Sequence, residues 1–265
     1  MSVETEGAAA GPVDRVDLFG VPIRNCTRGE AIALLERWML APAEPPRTVF
    51  FVNAHTLNLA HGSPEYQRVL CSADRVFGDG TGVRWAARLV RGVHMVDNVN
   101  GTDLVPELFR SLAGRGLRYY LLGAGPEAID RAAAHVEAAF PGWTLAGHHH
   151  GYVAPDASGD VIDAINAARP ELLLVGMGNP RQEVWLAANR ERLRVALAMG
   201  VGGLFDYWAG DLDRAPVWMR RLGVEWVHLL ARQPRKARRY LLGNPLFLAR
   251  ALAERRAPRR AQAAE

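Results

Sequence analysis

Short apolar runs alternate along the chain with longer segments in which apolar residues recur every three or four positions. The runs include residues 48–53, 117–122, 171–175 and 194–199, and each has the length and continuity of a strand that is buried on both faces. The intervening segments have the period of helices, and the first opens with the capping-box sequence Thr27-Arg28-Gly29-Glu30. This alternation predicts a doubly wound, mostly parallel α/β sheet. A further short strand is predicted at residues 16–21.

Turns rich in glycine follow several of the predicted strands. The first is Gly78-Asp79-Gly80-Thr81-Gly82, ahead of a helix predicted at residues 83–90. The others are Gly123-Ala124-Gly125, Gly176-Met177-Gly178 and Gly200-Val201-Gly202-Gly203. Because open α/β sheets bind ligands at the carboxyl ends of their strands, these turns predict a binding site at that end of the sheet.

Asp79 and Asn53 are polar residues at the ends of predicted strands. In the functional interpretation, Asp79 is a general base at the mouth of the site. In the structural interpretation, it caps the next helix or stabilises a turn.

Two further polar stretches open predicted helices. Asn100, Thr102 and Asp103 belong to a polar turn before a helix predicted at residues 104–112. Thr102 or Asp103 is either a cap of this helix or part of a turn in which Gly101 lets the backbone approach a phosphate. Gln182 and Glu183 occupy the first turn of a helix at residues 182–190. Glu183 either complements the helix dipole or joins Gln182 in contacting a base or a sugar.

The sequence predicts neither a cofactor nor a metal ion. Gly123-Ala124-Gly125 is only half of a dinucleotide fingerprint, because Ala128 occupies the third glycine position. The pair Asp211 and Asp213 resembles a metal-binding Asp-x-Asp sequence, but so short a match arises easily by chance. Adjacent histidines at residues 148–150 alternate between the faces of a strand and therefore do not converge on one metal.

Charge is distributed unevenly along the chain. The formal net charge is +4, yet the segment from residue 211 onward carries 13 basic and 5 acidic residues, a net charge of +8, and the first 210 residues carry −4. Within residues 211–250, Trp, Leu and Arg are interleaved, as is typical of an amphipathic segment at a membrane surface. A helical hairpin packed on the α/β body is the alternative.

These patterns predict a disordered N-terminus at residues 1–12, an α/β core at 13–210, a basic amphipathic helical appendage at 211–250 and a flexible tail at 251–265. The two cysteines, Cys26 and Cys71, are far apart, which favours a reducing compartment. Residues 1–11 lack the apolar centre of a signal peptide, and no apolar run reaches the roughly 18 residues of a membrane span. We therefore expect a cytoplasmic protein that is peripheral on the inner face of the cell membrane.

The chain resembles the WecG/TagA/CpsF glycosyltransferases from about residue 16 to residue 248. Each matching stretch is modest alone, but their common order along the chain makes the resemblance specific. The stretches are Asn53-Ala54, Gly78-Asp79-Gly80-Thr81-Gly82, Asn100-Gly101-Thr102-Asp103, His149-His150-Gly151-Tyr152, residues 176–185, residues 200–206, residues 214–219, Gly223-Val224-Glu225-Trp226 and Arg238-Arg239-Tyr240.

The resemblance implies a Rossmann-like core with a C-terminal helical appendage that reaches the membrane. It also implies an inverting, metal-independent transferase. Such an enzyme moves an N-acetylmannosamine-like or uronic acid-like sugar from a UDP-sugar to a polyprenyl-diphosphate-linked sugar, for teichoic acid or other cell-surface polysaccharides. Asp79 falls on the family's proposed catalytic base, and Asn53 and Gln182 fall on positions that contact substrate.

The remaining candidate substrate-binding residues come from the matching turns and from the appendage arginines. They are Gly80, Asn100, Thr102, Asp103, Gly123, Gly125, Gly176, Gly178, Glu183, Gly203, Phe205, Asp206, Arg214, Arg221, Arg238 and Arg239. The sequence departs from the family at Phe51, where many members have Thr, and at Asp97-Asn98, where an Arg is usual. Gln233-Pro234 replaces a Glu-Pro pair.

Two other functions would fit parts of the sequence. A nucleotide-binding module with a basic tail for nucleic acid would bind DNA or RNA in a salt-sensitive way, but the tail's tryptophans and leucines disfavour it. A nicotinamide oxidoreductase is disfavoured by the incomplete glycine pattern. We therefore expect as partners a UDP-sugar, a lipid-diphosphate-linked acceptor and the inner leaflet, with no nucleic acid. The apolar appendage also allows homo-oligomers.

Overall fold

The computed structural model describes residues 13–41, 43–154, 157–216, 218–219, 225–232 and 241–256. The strands in these ranges are β1 (Arg15–Leu18), β2 (Val21–Arg24), β3 (Arg47–Val52), β4 (Arg75–Gly78), β5 (Arg118–Gly123), β6 (Thr144–His149), β7 (Leu172–Gly176) and β8 (Leu197–Gly200). The helices are α1 (Arg28–Leu40), α2 (Ala54–Gly62), α3 (Pro64–Cys71), α4 (Thr81–Ala86), α5 (Gly101–Ser111), α6 (Pro126–Ala139), α7 (Ser158–Ala168), α8 (Arg181–Asn189), α9 (Leu204–Trp208), α10 (Glu225–Arg232) and α11 (Gly243–Arg256), with a π-helical turn (Ala87–Arg91) and a 3₁₀ turn (Arg190–Arg192).

The described strands form a single sheet in the order β1-β2-β4-β3-β8-β7-β5-β6. All neighbouring pairs are parallel except β1 and β2. The pairing of β5 with β6 shifts between Tyr119 and Tyr120, where a bulge interrupts the register. This topology confirms the predicted Rossmann-like α/β fold.

The central strands are apolar throughout because helices cover both faces of the sheet. Along β3, Val49 and Phe51 pack into one apolar cluster, whereas Phe50 and Val52 pack into the cluster on the opposite face. Continuous apolar runs therefore identified these strands correctly in the sequence.

The single strand predicted at residues 16–21 is wrong, because the chain forms a hairpin there. Phe19 and Gly20 separate β1 from β2, and both adopt left-handed backbone conformations, with φ of 54° and 74°. Two consecutive left-handed residues form the tight turn that joins antiparallel strands. Phenylalanine is not a typical turn residue, so the apolar run around Phe19 resembles one uninterrupted strand in the sequence.

Helix α4 and the π-helical turn replace the uniform helix predicted at residues 83–90. The helix begins earlier, at Thr81, directly after the Asp79 turn. The π-helical turn then ends at Gly92, whose φ of 69° is left-handed. A left-handed glycine is a common stop for a helix.

The C-terminal helix α11 packs on the α/β core. Phe247 and Ala251 are buried, one helical turn apart. Near the start of the helix, the Asn58 side chain donates a 2.8 Å hydrogen bond to the Gly243 carbonyl. Near its end, the Glu254 carboxylate accepts hydrogen bonds from the Phe19 backbone N–H and from Arg91.

These contacts correct one predicted boundary. The flexible tail was expected to begin at residue 251, but the helix continues to Arg256, because Ala251 and Glu254 are held by the core. The predicted disordered residues 1–12, and the candidate binding residues Arg221, Arg238 and Arg239, lie outside the described residues. Among the described helices, we find none with the length and apolarity needed to cross a membrane.

Candidate active site

A cavity of about 460 Å³ lies at the carboxyl ends of five strands that are neighbours in the sheet, β4, β3, β8, β7 and β5. Its walls include nine of the predicted site residues, which come from strand-end turns and helix starts. These are Asn53, Asp79, Thr102, Gly125, Gly176, Gly178, Gln182, Gly203 and Asp206. The turns that are far apart in the sequence thus converge on one concave surface.

Asp79 is placed by a backbone that is held on both sides. Its own N–H donates a 2.8 Å hydrogen bond to the Val52 carbonyl of the neighbouring strand. The next N–H, from Gly80, donates a 2.8 Å hydrogen bond to Oδ1 of Asn98. Gly80 has a φ of 90°, which favours glycine over any residue with a side chain. Asp79 therefore lines the cavity from a turn whose backbone is held on both sides.

Asn53 both caps a helix and lines the cavity. Its Oδ1 accepts hydrogen bonds from the backbone N–H groups of His55 and Thr56, at 3.0 and 3.2 Å, and so caps α2. The residue also lines the cavity next to Phe51, the aromatic residue that departs from the family pattern.

The glycine turns let two strand ends approach each other closely. A side chain at Gly123 would place its Cβ 2.4 Å from the Gly176 carbonyl oxygen. A side chain at Gly176 would in turn meet the Phe205 ring at 2.6 Å. Behind the turns, α6 and α8 begin at Pro126 and Arg181, so their free N–H groups lie at this end of the sheet.

Glu183 is a fully buried carboxylate beneath the cavity wall. It accepts hydrogen bonds from the Tyr66 hydroxyl at 3.0 Å, from Nε2 of Gln182 at 2.7 Å and from Nδ2 of Asn179 at 2.5 Å. The network continues through Gln182, whose Oε1 accepts a hydrogen bond from the Gly202 N–H at 2.9 Å. Glu183 thus links α3, α8 and two cavity turns, although it does not itself line the cavity.

Burial raises the pKa of the Glu183 carboxyl above its usual range, despite the three donors. A raised folded-state pKa stabilises the fold most at acid pH, below the unfolded-state pKa, and this contribution is lost as the pH rises through the folded-state pKa.

We therefore expect Glu183→Gln to gain stability relative to the wild type as the pH rises from 4.5 to 7.5. Denaturant unfolding at several pH values measures this difference. Tyr66→Phe is the companion variant, because losing a donor to the carboxylate should steepen the pH dependence of stability. Parallel curves for the wild type and Glu183→Gln would show that Glu183 does not titrate with a shifted pKa.

Several predicted binding residues are not on the cavity wall. Phe205 is 1% exposed and stacks on Trp208, so it supports the wall from the core. Asn100 is buried and caps α5 by accepting a 2.9 Å hydrogen bond from the Asp103 N–H. Gly80, Gly123 and Glu183 likewise shape the site from behind.

Asp103 and Arg214 form an ion pair with each other. The Arg214 guanidinium also lies over the ring of Tyr207, 5.5 Å from its centroid, and Tyr207 lines the cavity. The pair was not predictable from the sequence, since 111 residues separate its members.

Other cavity residues were not among the predicted site residues. Arg181 and Asn179 follow the Gly178 turn, and Tyr152 and Tyr207 add aromatic rings. Arg181 brings a positive charge to the wall, where its Nη2 donates to the Gly151 carbonyl at 3.3 Å. Its place at the first position of a helix after a glycine turn was a usable signal.

The Asp211-x-Asp213 pair is engaged differently from a metal site. Asp211 forms a two-pronged ion pair with Arg131, at 2.6 and 2.8 Å. Among the described residues, we find no cluster of three or more His, Cys, Asp or Glu side chains arranged to hold a metal.

The mostly parallel sheet and the cavity at the carboxyl ends of its strands define an α/β protein with a ligand-binding site at that edge. Comparison with known proteins identifies its family. The glycosyl transferase WecG/TagA/CpsF family model matches residues 16–261, and the chain belongs to this family.

Named relatives lie in the same family. The N-acetylglucosaminyldiphosphoundecaprenol N-acetyl-beta-D-mannosaminyltransferase of Bacillus spizizenii is 33% identical over 195 residues, which are 74% of each chain. The enzyme of the same name from Staphylococcus aureus is 27% identical over 228 residues, covering 86% of this chain and 87% of its own. This protein is therefore a glycosyltransferase.

Proposed function

We propose that the protein transfers a sugar, with inversion, from a UDP-sugar to a polyprenyl-diphosphate-linked sugar acceptor. The transferred sugar is N-acetylmannosamine-like or uronic acid-like, and the product serves cell-surface polysaccharide or teichoic acid synthesis. The observation that carries this proposal is Asp79, a carboxylate at the wall of the shared cavity on a turn held by two backbone hydrogen bonds. The names of the two relatives support the acceptor class.

The reaction is a direct displacement. An acceptor hydroxyl attacks the anomeric carbon of the donor sugar as its bond to the UDP oxygen breaks, and Asp79 takes the hydroxyl proton. The attack comes from the face opposite the leaving group, so the anomeric configuration inverts. One base suffices for this step, and nothing in it requires a covalent enzyme intermediate.

The leaving diphosphate needs positive charge. The N-terminal N–H groups of α6 and α8 and the guanidinium of Arg181 lie around the cavity, and helix N-termini favour bound phosphate. Arg214, Arg221, Arg238 and Arg239 remain further proposed contacts from the appendage.

The appendage brings the enzyme to the inner face of the cell membrane in this proposal. Its net positive charge suits anionic lipids. Its described part also exposes large apolar side chains, with Trp218 59%, Leu241 55% and Leu242 62% exposed. Exposed apolar groups of this size favour a lipid surface over nucleic acid as the partner.

The direct test is UDP release from a panel of UDP-sugars with a lipid-diphosphate-N-acetylglucosamine acceptor. The assay is run in EDTA and again with added magnesium or manganese. We expect acceptor-dependent release with one donor in EDTA, since the charges that stabilise the diphosphate come from the protein. Release only with added metal would contradict the metal-independent mechanism, and no release with any donor would contradict the proposed reaction.

A further inference from the structure

A second concavity, of about 600 Å³, lies between the π-helical turn and α11. It shares no residue with the cavity that contains Asp79. Its walls are Trp85, Arg88, Leu89, Val90, Arg91, Gly92, Leu248 and Arg255. We refer to it as the π-helix groove.

The groove combines hydrocarbon walls with a basic rim. Leu89, Val90 and Leu248 are apolar, and Trp85 is 60% exposed at its side. Arg88 and Arg255 add positive charge at the same place. An aromatic ring and guanidinium groups around an apolar channel complement an anionic amphiphile, whose chain fills the groove and whose phosphate meets the rim.

The walls of the groove are held in place from below. The Arg91 guanidinium donates to Glu254 of α11 at 2.6 Å and to the Asp17 carbonyl at 2.7 Å. Glu254 also accepts from the Phe19 N–H at 3.1 Å. These bonds fix α11 against the π-helical turn and so hold the two walls of the groove together.

The groove is close to the catalytic turn. Helix α4 begins at Thr81, and Trp85 follows four residues later, which at 1.5 Å per residue is about 6 Å along the helix. On the other side, Phe247 of α11 packs next to Gly82, 3.7 Å from where a Cβ of that glycine would lie. Leu248, the next residue of α11, lines the groove.

We propose that the π-helix groove holds the first isoprenoid units of the lipid-linked acceptor, with Arg88 and Arg255 beside its diphosphate. This inference rests on the proposed function. In this arrangement the sugar of the acceptor lies at Asp79, and the first isoprenoid units lie in the groove at the other end of α4. The position of the groove beside the catalytic turn, together with its apolar walls and basic rim, favours this occupant over a bilayer phospholipid or a second copy of the chain.

The test compares kcat/KM for two soluble acceptors that share the sugar diphosphate but differ in their lipid. One carries three isoprenoid units and the other a methyl group, both below micellar concentrations and without membranes. We expect the wild type to prefer the isoprenoid acceptor, and Trp85→Ala and Leu248→Asn to reduce that preference about tenfold, the effect of losing roughly two buried methylene groups. Turnover of the methyl acceptor should change less than twofold.

Leu246→Asn is the matched control, because Leu246 is an exposed leucine of the same helix that does not line the groove. An unchanged preference in Trp85→Ala and Leu248→Asn would overturn the proposal, as would an equal loss with both acceptors. A loss that appears only when phosphatidylglycerol vesicles are added would also overturn it and assign the groove to the bilayer. Absence of turnover in the wild type would instead contradict the proposed function.

Discussion

Asp79→Asn is expected to lower kcat by roughly 100-fold to 10,000-fold, the usual contribution of a positioned general base. Asparagine keeps the shape of the side chain but cannot take the acceptor proton. The backbone N–H groups of Asp79 and Gly80 keep their hydrogen bonds to Val52 and Asn98 in this variant. The fold should therefore persist, and the affinity for UDP should change little.

Steady-state UDP release and UDP binding by calorimetry measure the two quantities separately. Asp211→Asn is the matched control, because Asp211 is exposed and its partner is Arg131. We expect near-normal turnover from the control. If Asp79→Asn turns over within twofold of the wild type, another group must act as the base.

Gly123→Ala is expected to destabilise the fold by about 1–3 kcal/mol, the usual cost of overpacking, and to disturb the cavity. The new methyl group would lie 2.4 Å from the Gly176 carbonyl oxygen, and backbone atoms of a central strand cannot move aside easily. The matched control is Gly125→Ala in the same turn. Its methyl group would lie 3.7 Å from the Tyr152 ring, an ordinary contact.

The free energy of unfolding in denaturant, measured for both variants, tests this prediction. Equal stability of Gly123→Ala and Gly125→Ala would show that β5 and β7 can separate at this end without cost. A larger loss in Gly123→Ala would establish close strand approach, rather than ligand contact, as the reason for glycine at this position.

The central sheet was predictable because its physical signal is local. A strand buried on both faces is apolar throughout, and the following glycine turn marks where it ends. The same reasoning failed at Phe19, where the left-handed backbone is imposed by the hairpin and by packing of its ring on Phe247. The sequence also predicted that the flexible tail begins at residue 251, before the end of α11. The contact that holds Glu254 comes from Phe19, 235 residues away, and leaves no local pattern.

The position of the cavity was predictable for the same reason. Asp79 and Gly178 follow strands, so topology alone brings them to one end of the sheet. The sequence could not distinguish residues that face the cavity from those that support it. Glu183 accepts a hydrogen bond from Tyr66, 117 residues away, and is buried behind the cavity wall. Asp103 forms an ion pair with Arg214. Such long-range pairs leave no local pattern.

The two strands at the ends of the sheet limit how copies of this enzyme can associate. At the β6 end, a bulge interrupts the hydrogen-bond register with β5 between Tyr119 and Tyr120. His148 of β6 forms a hydrogen bond with the Asp130 carboxylate. At the opposite end, β1 carries the charged residues Arg15 and Asp17. Bulges and charges on outer strands oppose strand-to-strand joining. A concentrated population of this enzyme should therefore resist aggregation through the edges of its described sheet.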